Sequence, residues 1–144
     1  MNELKPKPAV LDIRIRLAGL WAGLMFLYVY CDLYSLYRPG HLGDMAAGRM
    51  GSFEVSQISL LVAGLLMILP AVMVPISLLL NGGLAIWVNL AVAGLYTLVN
   101  FGNLAGETWA YYWAFGAVEM AITLAIAVLA IRELRKSKRE NPPR

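Results

Sequence analysis

Two carboxylates, Asp32 and Glu119, lie inside long apolar runs of a 144-residue chain and are the residues best placed to do chemistry. An ionisable side chain in a membrane-spanning helix costs roughly 2.5 to 3.5 kcal/mol on insertion scales, so it faces protein or water rather than lipid. Buried acids suit three kinds of work. They can hold a cation or hydrogen-bonding ligand, act as general acid and base on a lipidic substrate, or tie helices together by hydrogen bonds. The second role requires both carboxyls to address one molecule.

The polar residues around them recur at helical intervals. Asn89, Tyr96, Asn100, Asn103 and Glu107 are separated by seven, four, three and four positions, which is one face of a helix. Thr108, Tyr112, Glu119 and Thr123 are separated by four, seven and four, and Tyr28, Asp32 and Ser35 form a shorter third stripe. Stripes on neighbouring helices lower their cost by facing one another. The pattern predicts a pocket that opens toward the outer face and narrows toward Glu119. Asp32 and Glu119 supply its charge, while Tyr28, Tyr96, Asn100, Asn103 and Tyr112 supply orienting hydrogen bonds. Arg38 and Arg49 are the cations nearest that end, and Arg49 is expected to fold back and pair with Asp32 or Glu107.

Each of these residues also has an ordinary reading. Asp32 and the asparagines can be bundle glue, Glu107 a solvated charge at a span end, and Tyr30, Tyr34 and Tyr37 members of an aromatic belt. Cys31 reads as a small buried apolar residue and His41 as a loop residue without companion ligands. Gly64, Gly94 and Gly116 read as close-packing points between helices.

The elements that must position these groups follow from composition. Hydrophobic residues make up 60% of the chain and charged residues only 15%, with a mean hydropathy of +0.65, which is too apolar for a soluble domain. A spanning helix takes about 20 apolar residues, and four such runs are present, at about 17–37, 56–80, 84–104 and 108–131. The fold class is therefore all-α: an integral membrane four-helix bundle. Residues 1–16 and 132–144 flank it as basic tails, the latter expected to fray at its end. The first apolar run is long enough to span and lacks a small-residue cleavage pattern, so it does not read as a cleaved signal.

Details within the runs sharpen the layout. Pro6 and Pro8 delay the first helix until about Val10, and Arg38-Pro39-Gly40 ends it. Trp21 and the late tyrosines read as interface anchors. Leu42, Met45, Ala46, Met50 and Phe53 suggest a short interfacial helix in the first outer loop, interrupted or ended at Gly48–Gly51. Pro70 and Pro75 should kink the second span, which neighbouring helices tolerate by re-satisfying freed carbonyls. Asn81-Gly82-Gly83 is a tight turn between antiparallel neighbours.

Charge and residue counts remove several function classes. The formal charge is +3, but the basic residues flank spans instead of alternating with aromatics, so no nucleic-acid partner is expected. One cysteine excludes a thiol oxidoreductase and one histidine a bis-histidine haem. No cofactor and no metal site is expected. Membrane lipid is the expected partner, with a small-molecule or lipidic ligand and a homo-oligomer as further candidates. Ten of the twelve Lys and Arg lie in the tails, which by the positive-inside rule places both termini in the cytoplasm and argues against a dual-topology exporter.

The segments Tyr30-Cys-Asp-Leu-Tyr-Ser-Leu-Tyr-Arg-Pro-Gly40, Ala47-Gly-Arg-Met-Gly51 and Phe115-Gly-Ala-Val-Glu119 resemble those of a bacterial family of small four-span proteins known as a domain of unknown function. The resemblance covers about residues 15 to 132. It implies that Asp32, Arg49 and Glu119 belong to recurring motifs, and it implies no activity; a bacterial inner membrane is the expected location. The general layout is also similar to DoxX-type four-helix membrane proteins. The absence of an intramembrane histidine departs from membrane isomerases with acidic sites. Three functions are thus in play: a ligand-binding or transport-related protein, an intramembrane enzyme using Asp32 and Glu119 as an acid/base pair, and a structural or partner-binding protein.

Overall fold

A computed structural model describes residues 11–51 and 53–140. The basic segment expected at residues 1–10 and the Asn-Pro-Pro-Arg end at 141–144 lie outside the described residues. The elements are α1 (Ile13–Ser35), α2 (His41–Ala46), β1 (Arg49–Met50), β2 (Phe53–Glu54), α3 (Gln57–Leu79), α4 (Gly82–Leu104) and α5 (Ala110–Glu140). α1, α3, α4 and α5 are each long and apolar enough to cross a membrane, and together they make the expected all-α bundle.

Local chemistry sets the ends. Asp12 starts α1 by accepting the Arg14 backbone N–H at 2.8 Å, so the helix begins at Ile13, three residues after the start expected near Val10 and ahead of the apolar run. Regular helix stops at Ser35, two residues short of Tyr37, in a turn leading to Pro39 and to Gly40 at φ +83°. Ser56 and Ser59 form a reciprocal capping box on α3. Gly82, at φ +73°, makes the tight turn into α4.

One expectation is corrected and one element extended in segments with weak hydropathy signals. The interfacial helix is the six-residue α2, whereas Met50 and Phe53 face each other across an antiparallel hairpin, with Arg49 opposite Glu54. The helix that carries the fourth apolar run continues past the end of that run near 131, and the 31 residues of α5 reach Glu140. Arg132-Glu-Leu-Arg-Lys-Ser-Lys-Arg139 contains no Pro or Gly, and most of these residues are good helix formers. At about 1.5 Å per residue α5 is about 46 Å long, so its basic end projects beyond a hydrocarbon core of about 30 Å.

The four long helices form a ring. α3 packs on α1, α1 on α5 and α5 on α4, while α4 closes on α3 through few contacts despite the tight turn that joins them. α1 and α4 therefore stand diagonally, and long side chains bridge them through the centre. Trp21, expected at an interface, is fully buried, because its indole N–H donates to Asn89 Oδ1 at 2.8 Å. The Ser77 hydroxyl also reaches Asn89 Oδ1, at 3.0 Å, and Asn89 Nδ2 donates to the Ala85 carbonyl at 2.9 Å. Around this network pack Leu17, Leu24, Met73, Ile86, Ala93 and Ile126. Outward positions such as Phe26, Ile58, Leu98 and Phe101 are exposed hydrophobics, as a lipid-facing surface requires.

Of the three glycines expected at helix contacts, only Gly116 is one. A Cβ there would lie 2.6 Å from Leu104 Cδ2, whereas at Gly64 and Gly94 it would meet nothing within 4 Å.

Candidate functional site

Glu119 lies on α5, nine residues past its first residue, Ala110, and points inward with 6% of its surface exposed. Its Oε1 is buried and has no hydrogen-bond partner among the described residues. Asn100 on α4 is equally enclosed, at 1% exposure. Its Oδ1 accepts from the Tyr28 hydroxyl at 2.7 Å, and its Nδ2 has no partner. Tyr28 joins the two groups, bonded to Asn100 and within electrostatic reach of Glu119. A vacant acceptor and a vacant donor thus occur in one buried region. Such groups cost about 1 to 3 kcal/mol each when left unsatisfied, more for a charge.

Asp32 lies at the rim of this region. It is exposed, makes no hydrogen bond to a described residue, and lies close enough to Glu119 for the two charges to interact. The half-buried Tyr112 feels both carboxylates. The stripes therefore bring Tyr28, Asp32, Asn100, Tyr112 and Glu119 together.

Three residues expected in the pocket are occupied or placed elsewhere. Tyr96 is 1% exposed, and its hydroxyl donates to the Leu66 carbonyl. Leu66 precedes Pro70 by four residues, so its carbonyl is the one that the proline leaves without an N–H partner. Tyr96 repairs the helix and is not free for a ligand. Asn103 is exposed, because a step of three residues turns it about 60° away from Asn100. Arg49 does not fold back to Asp32 or Glu107; it is exposed on β1 and pairs with Asp44 of α2.

The residue that takes the expected role of Arg49 is Arg38. Its Nη2 lies 2.9 Å from Glu107 Oε2 and its Nε donates to the Tyr111 hydroxyl at 2.6 Å. The guanidinium carbon lies 5.0 to 5.4 Å from the ring centroids of Trp109, Tyr111 and Tyr112, within cation–π range. Glu107 is consequently not a free solvated charge. Its Oε1 accepts the backbone N–H groups of Thr108 and Trp109 at 2.8 and 3.0 Å at the start of α5. Partial burial alone would raise the Glu107 carboxyl, but these N–H groups and Arg38 outweigh it and hold the group below the ordinary carboxylate range. This clamp joins the loop after α1 to α5, and Tyr112, which lies under Arg38, is also within electrostatic reach of both acids. The available signal was the shortage of cations at that end: with only Arg38 and Arg49 there, each acid has few possible partners.

No match was found among curated proteins or among solved structures. A family model does match, over residues 12–139, and so takes in all four spans, the clamp and both acids. The chain belongs to the family of unknown function DUF6326.

Proposed function

We propose that this protein resides in a bacterial inner membrane with both termini cytoplasmic, and that it is a binding or transport-related protein rather than an enzyme. Its ligand is a small or lipid-like molecule bearing a positive charge, or a simple cation, received from the outer side between Asp32 and Glu119. The observation that carries this reading is the enclosed Glu119 carboxylate, with an oxygen that no described residue bonds and with Asp32 within electrostatic reach. In a low-dielectric site a carboxylate needs a compensating positive charge. Arg38 does not supply it, being engaged by Glu107 and Tyr111. Tyr112 and the unpartnered Asn100 Nδ2 would orient the ligand's polar atoms.

The test is native mass spectrometry of protein released gently from membranes, followed by thermal unfolding with sodium, potassium and alkylammonium ions. Wild-type protein should carry or be stabilised by a cationic species, and Asp32→Asn or Glu119→Gln should abolish that effect while the protein stays folded. If both variants keep every ligand-dependent stabilisation, the acids do not bind the ligand.

A further inference from the structure

Toward the end of the bundle that carries the tails, beginning six residues past Glu119 on α5, a groove of about 670 Å³ runs between α1 and α5. Its size falls in the range of small-molecule sites. Its walls are apolar, with Ile15 and Gly19 on one side and Ala125, Val128 and Leu129 on the other. A Cβ at Gly19 would meet nothing within 4 Å, so the trough is open at its floor. Two cations, Arg16 of α1 and Arg132 of α5, line the same groove, one from each wall. Both are exposed, and neither is in an ion pair with a described residue.

We infer that this groove is a site for an anionic phospholipid, with an acyl chain lying in the trough and the phosphate held between Arg16 and Arg132. The chemistry of both halves supports that occupant. The apolar trough faces outward at membrane depth, where the available apolar ligand is an acyl chain. The guanidinium forks suit phosphate oxygens through paired hydrogen bonds, and basic pockets between spans are a recurring setting for anionic headgroups. A zwitterionic lipid brings its own cation to the arginines and fits less well. A second copy docking here in the same orientation would bring its own basic tail end against these arginines. The site is independent of the proposed cation site, being built from other residues, toward the tail end of the bundle.

The experiment measures binding of phosphatidylglycerol and of phosphatidylcholine with identical acyl chains to the full-length protein, by native mass spectrometry from detergent. Wild-type protein should retain phosphatidylglycerol preferentially. Arg16→Gln/Arg132→Gln should weaken that binding roughly thirty-fold, two basic contacts each contributing about five-fold. Arg135→Gln/Lys136→Gln removes the same charge outside the groove and should change it only a few-fold. Gly19→Phe fills the trough without touching charge and should weaken the binding of both lipids; it also decides the matter if the double arginine variant fails to fold. Equal losses in the two double variants, equal retention of both lipids by the wild type, or no effect of Gly19→Phe would each overturn the assignment. So would competition by the chainless glycerophosphoglycerol headgroup at the same concentration as the lipid, since that would mark a free-phosphate site.

Discussion

The hydroxyl of Tyr96 on α4 donates to the carbonyl of Leu66 on α3, the acceptor that Pro70 leaves without its helical partner. The bond fills the gap that Pro70 leaves in the hydrogen-bond ladder of α3, so its contribution depends on the proline. Tyr96→Phe should destabilise the protein by about 1 kcal/mol, within the range of interhelical hydrogen bonds in bilayers. In a Pro70→Ala background, where residue 70 regains an N–H, the same substitution should cost close to nothing. Unfolding in mixed micelles measures both, and equal costs in the two backgrounds would refute the pairing.

Glu119→Gln keeps the shape of the side chain and removes a buried carboxyl group whose Oε1 has no partner among the described residues. Without ligand it should stabilise the fold by about 1 kcal/mol or more, because the enclosed carboxylate opposes folding. Asp32→Asn, at an exposed position, should change stability by less than about 0.5 kcal/mol. Thermal unfolding of the two variants in ligand-free detergent separates these outcomes. Destabilisation by Glu119→Gln would show that the ionised carboxylate is already satisfied.

The Arg38–Glu107 clamp should give way in acid. Glu107 sits below its ordinary value of 4.5 in the folded protein, so the unfolded chain takes up its proton first as pH falls. Its contribution is fully present above about pH 4.5 and is lost as pH drops from there through the folded value. Glu107→Gln should flatten that part of the stability profile. A double-mutant cycle between Arg38→Ala and Glu107→Ala should give a coupling of about 1 kcal/mol, modest because both side chains keep some solvent contact.

Gly116 marks the close approach of α5 to the end of α4. Gly116→Val should destabilise by about 1 to 3 kcal/mol through overpacking against Leu104. Leu104→Ala should recover part of that loss. Gly64→Val and Gly94→Val, at open positions, should not show such a clash. Unfolding midpoints of these variants, with and without Leu104→Ala, make the comparison.

The apolar runs disclosed four spans because a bilayer fixes both length and composition. The three-to-four spacing likewise placed Tyr28, Asn100 and Glu119 on inward faces. What spacing cannot convey is which partner a polar group finds. Tyr96 lies on the same face as Asn100 yet serves a proline in another helix, and Trp21 is buried because Asn89 waits across the bundle diagonal. Arg38 and Arg49 look alike in the sequence; the turn at Pro39 and Gly40 sets one beside Glu107 and leaves the other in the hairpin. The helical end of α5 was hidden for a different reason, since outside the bilayer hydropathy no longer distinguishes helix from tail.

The ring order has a consequence for biogenesis. α1 and α3 leave the ribosome before α4 and can pair at once, but the indole of Trp21 then faces an empty place until Asn89 arrives with α4. α5, the last to emerge, supplies the second packing neighbour of α1 and the main one of α4. The nascent protein must therefore hold an incomplete hairpin in the membrane until α5 is made, and a chain cut short before α5 lacks the seam that closes the assembly.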